Sequence, residues 1–198
     1  MATIVFWEVA RVRRILSLFL LALLLCGLVF SFSSCGRIGK TNLVEIRVRD
    51  FGSIVVELYP DVAPITVENF KNLVASGFYE ESIFHRIIED FMIQGGISAK
   101  GETAEPIYGE FAANGYDNGL LHTRGVISMA RTSFPNSASS QFFIVQRDKP
   151  HLDGYYAAFG RVISGMEVVD AIAAVDTDSG NYPETEVVIE KIVFLKEK

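Results

Sequence analysis

The sequence predicts a mainly-β fold, an antiparallel barrel or sandwich of about eight short strands capped by two helices. Three observations carry that prediction. Leu43 to Arg49 alternates without a break, with Val44, Ile46 and Val48 on one face and Glu45, Arg47 and Arg49 on the other, as a half-buried strand requires. Six further apolar runs are short and bounded by glycine or polar loops: 83–88, 91–94, 126–130, 141–145, 157–163 and 187–195. Only two stretches adopt helical spacing, and there is no internal repeat or low-complexity run.

Taken in order, Phe51-Gly52 turns the first strand into a second, Ser53 to Tyr59, giving a hairpin. Pro64 suits a first helical turn. Val67, Phe70, Leu73 and Val74 then recur at three- and four-residue spacing until Gly77 stops the helix. The Gly95-Gly96 pair reads as a tight turn. Phe142 and Phe143 are adjacent in one strand and must face opposite sides, with Phe142 assigned to the core. A second helix is expected over Met166–Val175, with Val168, Val169, Ile172 and Val175 on its buried side.

The N-terminus is of another kind. Residues 15–32 form an 18-residue run without a charge, preceded by Arg11, Arg13 and Arg14 and followed by a polar stretch. That is the layout of an export signal whose positive end stays in the cytoplasm. A permanent span needs roughly 20 apolar residues, so three processings stay open. A cleaved lipoprotein signal would leave Cys35 as a lipid-bearing N-terminus, an uncleaved anchor would keep the helix, and an ordinary signal peptidase could cut near Ser34. Each places the rest of the chain across the membrane, in a periplasm or at a cell surface, and the first two, lipoprotein and anchor, keep it membrane-associated. The expected organisation is therefore a signal or anchor over 1–35, a linker over 36–42 and a folded domain over 43–198.

Beyond Cys35 the chain has 15 basic and 23 acidic residues, a net charge of −8 that argues against nucleic-acid binding. The two cysteines, Cys26 and Cys35, both precede the domain, so it holds no disulfide and no thiolate. His85, His122 and His151 lack metal-ligand spacing, and no G-x-S-x-G elbow, P-loop or dinucleotide fingerprint is present. No metal or other cofactor is expected.

What remains is a concentration of aromatic, Met, Gln and Arg residues in three blocks. They are FHRII followed by FMIQGG (84–88 and 91–96), GVISMA (125–130), and SQFFIV (140–145) followed by LDG (152–154) and FG (159–160). In this order and spacing they resemble the successive signatures of the cyclophilins, peptidyl-prolyl cis/trans isomerases, and Ile107–Phe111 resembles the family's intervening stretch. The resemblance extends from Leu43 to Leu195. It implies a closed antiparallel eight-stranded β-barrel capped by two α-helices. By position it makes Arg86 the catalytic arginine and Phe91, Met92, Phe143 and Leu152 the proline pocket. Gln94 and Gln141 would orient the substrate, and the backbone at Ala130 and Arg131 would pair with the bound peptide. His151 and Tyr156 would stand at the pocket edge. The best-known members carry asparagine at Arg131, tryptophan at His151 and histidine at Tyr156. These departures imply altered preference beside the proline and weak binding of cyclosporin, the family's inhibitor. His85 reads as structural.

The residue types suit the reaction. Rotating a peptide bond costs about 18–20 kcal/mol because resonance is lost, and X–Pro bonds exchange slowly with both isomers populated. No bond breaks, so no nucleophile is needed. An apolar cup grips the ring, and a guanidinium aimed at the nitrogen favours the twisted amide, whose lone pair has returned. The function expected is X–Pro isomerisation in exported or envelope proteins, with proline-containing polypeptides as partners. The alternative is a catalytically weak proline-binding or chaperone module tethered to the membrane.

Overall fold

The computed structural model describes residues 41–196. The apolar run of 15–32, the lipidation candidate Cys35 and residues 36–40 of the expected linker lie outside the described residues. Among the described residues no helix is long and apolar enough to cross a membrane.

Strand β1 (Leu43–Val48) pairs antiparallel with β2 (Gly52–Leu58), from Leu43 opposite Glu57 to Val48 opposite Gly52. The connecting turn places Asp50 at φ 64°, a left-handed position that aspartate tolerates. Val44, Ile46, Ile54, Val56 and Leu58 are buried, so the alternation read from sequence is a true inside–outside pattern. Helix α1 (Pro64–Ala75) starts at Pro64 and lays Val67, Phe70 and Val74 into the core. Helix α2 (Met166–Ala173) is shorter than its periodicity suggests and buries Val168, Val169 and Ile172.

The remaining strands are β3 (Ser82–Ile83), β4 (Arg86–Ile88), β5 (Met92–Gly95), β6 (Val126–Met129), β7 (Phe142–Val145), β8 (Ala158–Ser164) and β9 (Val188–Phe194). Together the nine form one antiparallel sheet in the order β3-β9-β1-β2-β8-β6-β7-β5-β4. This corrects the closed eight-stranded barrel implied by resemblance: the sheet has nine strands and its hydrogen bonding is open, because no ladder joins β3 to β4. The run 83–88, expected as one strand, is divided. Its first part pairs with β9 and its last part with β5, leaving Phe84 and His85 as the covalent link between the sheet's two edges.

The Gly95-Gly96 pair is also not a tight turn. Gly95 is a strand residue opposite Phe142, and a Cβ on it would lie 3.0 Å from the Ile83 carbonyl oxygen. Gly96 has φ 99°, and a Cβ there would lie 2.6 Å from the Ser140 carbonyl oxygen. Close backbone approach and a left-handed dihedral therefore require these glycines.

The sheet buries both faces at its centre. The main core includes Phe70, Tyr79, Phe84, Phe142 and Phe159. A second cluster, built from Met92, Val126, Phe143, Val145, Leu152 and Ala158, covers the opposite face. Strand β7 shows the division most clearly, because Phe142 and Ile144 enter the main core while Phe143 and Val145 enter the second cluster. Phe142 is fully buried, edge-on to the rings of Phe70 and Tyr79 at 5.6 Å each.

Helix α1 lacks a side-chain cap of its own. Buried Glu110, 45 residues away from Ile65, accepts the backbone N–H of Ile65 (3.0 Å) and of Thr66 (2.8 Å) and the Thr66 hydroxyl (2.6 Å). Its charge meets the positive end of the helix, which helps offset burial. Replacing Phe142 with alanine is expected to destabilise the domain by about 3–5 kcal/mol. Urea unfolding checks this, and a loss below 1 kcal/mol would contradict the core assignment.

Candidate active site

The second cluster is the floor of a cleft. Register places Arg86 opposite Gln94, Gln94 opposite Phe143 and Phe143 opposite Ser128. Cross-strand partners leave a sheet on the same side, so these four side chains form one row across β4, β5, β7 and β6. Ile88, Met92 and Val145 form the next row on that face. Leu152 joins from a short 3-10 turn, Pro150–Leu152, and Tyr156 from the segment before β8.

Nine of the residues singled out in the sequence line this cleft, which is open to solvent: Arg86, Phe91, Met92, Gln94, Ala130, Arg131, Phe143, Leu152 and Tyr156. Two do not. Gln141 is half-buried and accepts a hydrogen bond from Gln94 Nε2 at 3.0 Å. His151 is exposed beyond the rim, its ring 6.0 Å from that of Phe91.

The cleft divides into an apolar and a polar part. Met92, Phe143 and Leu152 are buried, and Tyr156 meets Phe143 edge-on at 5.8 Å. Beside them Arg86 donates from Nη1 to Gln94 Oε1 at 3.3 Å, and its guanidinium lies 6.0 Å from the Phe91 ring. No carboxylate among the described residues forms an ion pair with Arg86. Its remaining N–H donors are therefore not committed to an internal anion. Among the described residues no cluster of His, Cys, Asp or Glu is arranged to hold a metal.

One supporting group escaped the sequence reading. His122 is 1% exposed and lies flat beneath Phe143, with ring centroids 6.1 Å apart and planes 16° apart. Its Nδ1 is 3.0 Å from Asp153 Oδ1 and its Nε2 3.0 Å from Ser128 Oγ. Asp153 Oδ1 also accepts the His122 backbone N–H at 2.7 Å. The order Ser–His–Asp is that of a hydrolytic triad, but Ser128 is fully buried and cannot meet a substrate. Here the three groups fix the imidazole that backs the cleft floor. Asp153 lies 31 residues from His122, a separation with no periodic signature.

The model for the family "Cyclophilin type peptidyl-prolyl cis-trans isomerase/CLD" matches residues 43–194. The chain belongs to the cyclophilin family. A peptidyl-prolyl cis-trans isomerase of Acinetobacter baylyi is 44% identical over 167 residues, covering 80% of this chain and 84% of that protein. Peptidyl-prolyl cis-trans isomerase A of Dickeya dadantii is 42% identical over 154 residues, covering 73% and 80%. A crystal structure of a Cryptosporidium parvum cyclophilin in the presence of the dipeptide Ala-Pro superposes with a TM-score of 0.65. It is 34% identical and covers 78% of this chain and 99% of that one. This cyclophilin is accordingly an enzyme of the peptidyl-prolyl cis-trans isomerase class.

Burial lowers the His122 pKa, and the Asp153 carboxylate only partly opposes that shift. Burial lowers His85 in the same direction. A histidine held neutral in the folded state binds fewer protons than when unfolded. Stability is then complete above the ordinary imidazole value of about 6.5 and falls as pH drops below it. The urea midpoint should decline between pH 7 and 5.5, and His122→Gln, which cannot titrate, should flatten that decline. An equally steep fall in the variant would show that His122 does not contribute.

Proposed function

We propose that this chain accelerates X–Pro rotation in exported or envelope proteins, with Arg86 as its catalytic residue. The observation that carries this reading is the row across the sheet, which sets a guanidinium with no acidic partner among the described residues beside an apolar cup. The proline ring enters the cup of Phe91, Met92, Phe143 and Leu152, where burial is worth roughly 25 cal/mol per Å². Gln94, braced by its hydrogen bond to Gln141, holds the polar side of the peptide, and the Ala130–Arg131 backbone receives the extended flank. As the amide twists, resonance is lost and the proline nitrogen regains a lone pair. An N–H of Arg86 directed at that lone pair binds the twisted state better than the planar one, and this difference lowers the barrier. Gln94 holds one edge of the guanidinium and thereby limits its rotation. Neither a proton transfer nor a covalent intermediate is required.

The membrane-associated, extracytoplasmic setting rests on Arg11, Arg13, Arg14 and the uncharged run that follows them. Of the three processings we favour cleavage before Cys35 with lipid attachment. The small residues Ser33 and Ser34 support it. Tyr156 closes one side of the cup, and His151 stands where a larger aromatic would extend the apolar rim. Cyclosporin binding is weak on this reading.

The purified chain should speed the cis-to-trans conversion of an X–Pro test peptide. Arg86→Ala should lose about 10²–10³-fold in kcat/KM, the range for removing one transition-state donor, with an unchanged melting temperature. Full activity in the variant would remove Arg86 from the mechanism. For the tether, Cys35→Ser should abolish incorporation of labelled fatty acid during expression, and continued labelling would refute the lipid assignment.

A further inference from the structure

Arg131 is the second guanidinium of the cleft, and its setting differs from that of Arg86. It lies between two aromatic rings, its guanidinium carbon 4.9 Å from the centre of Phe111 and 4.8 Å from that of Tyr156. Nε donates to the Tyr155 carbonyl at 2.9 Å and Nη1 to the Thr132 carbonyl at 2.8 Å. Nη2 has no partner among the described residues. The guanidinium is thus fixed in plane and position while part of its donor edge remains free at the cleft wall.

The surrounding charges reinforce the point. The nine cleft-lining residues include two arginines and no carboxylate. Lys149 adds a third cation at the rim, with Nζ 5.5 Å from the centre of the Phe91 ring. Asp153, which follows Leu152, is engaged by His122 through both backbone and ring. Arg147, also near Phe91, is paired with Asp90. Although the chain beyond Cys35 carries a net charge of −8, the substrate cleft is locally cationic.

We propose that Arg131 makes this cleft selective for substrates that carry an aspartate or glutamate beside the X–Pro bond. The inference rests on the reading above that proline occupies the Phe143 cup. A free arginine must give up side-chain freedom to form an ion pair, which is one reason exposed pairs contribute little. Here the two rings and two carbonyl contacts have already removed that freedom. A substrate carboxylate therefore gains a charge-assisted bond from a preorganised donor. A glutamine at the same place gains only a neutral acceptor's bond, and a lysine is repelled. The preference expected is acid over amide over base.

The test uses pairs of X–Pro peptides that differ only by Glu or Gln, placed in turn at each of two positions on either side of the proline. Dissociation constants are measured by isothermal titration and turnover separately by the isomerisation rate. For at least one pair the native chain should bind the Glu form about three- to tenfold more tightly. The ratio should fall to about one in Arg131→Gln and be partly kept in Arg131→Lys. Ratios remove any general loss of affinity in the variants, and melting curves identify any that fail to fold. No Glu preference in any pair, or a preference that survives Arg131→Gln, overturns the inference even if turnover is normal. Absence of turnover with the Glu preference intact counts against the catalytic reading instead. Failure of every peptide to bind defeats both.

Discussion

Two adjacent phenylalanines on one β-strand cannot face the same way, and in strand β7 that constraint ties the fold to the cleft. Phe142 enters the main core against Phe70 and Tyr79, while Phe143 enters the opposite cluster with Met92 and Leu152. The packing that fixes the first ring therefore fixes the height and register of the second. Because Phe143 stands in register with Gln94, and Gln94 with Arg86, the same ladder sets the distance from the apolar cup to the guanidinium. A slip of one residue would turn Phe143 inward and destroy cup and core together.

Supports from outside the sheet hold the remaining walls. His122, bound between Asp153 and Ser128, stacks beneath Phe143 and limits its motion. Glu110 joins the start of helix α1 to the segment carrying Phe111, and Asn118 Nδ2 binds the Glu110 carbonyl at 2.9 Å and that of Ala158 at 2.8 Å. Phe111 is one of the two rings that hold Arg131. A helix cap, a loop and a cleft wall are thereby one connected structure. The catalytic demand is modest in chemical terms, since no bond is made or broken, but it is strict in geometry.

The sequence made some of this legible and concealed the rest for identifiable reasons. The β1–β2 hairpin and the buried faces of both helices were readable because one side of each faces water, so the periodic signal survived. Strands β6 and β7 are buried on both faces, and VISM and FFIV lack the alternation that would reveal which residues face the cleft. Only the pleat separated Phe142 from Phe143. The division of 83–88 into β3 and β4 depends on the pairing of β3 with β9, which is distant in sequence, while β4 turns back onto the neighbouring β5, so no pattern within the run marked it. Gly95 and Gly96 suggested a turn because a close approach of remote backbone leaves no other trace. The cleft residues were assembled by resemblance, and chemistry alone would have left Met92 and Phe143 as ordinary core. His122 is held by Asp153, 31 residues away, and Glu110 caps a helix that starts about 45 residues before it, so their roles emerge only from the fold.

The central claim is that Arg86 acts on the twisted amide more than on the planar one. The direct measurement is the interconversion rate of an Ala-Pro peptide while bound, obtained from NMR exchange, set beside its dissociation constant for the native chain and for Arg86→Lys. Lysine keeps the charge but loses the planar fork. The account predicts that affinity changes by no more than about threefold while the bound-state rate falls by at least tenfold, the signature of a contact strengthened in the transition state. An affinity loss as large as the rate loss, or a rate that does not change, would contradict it and leave Arg86 as a residue that merely holds the substrate.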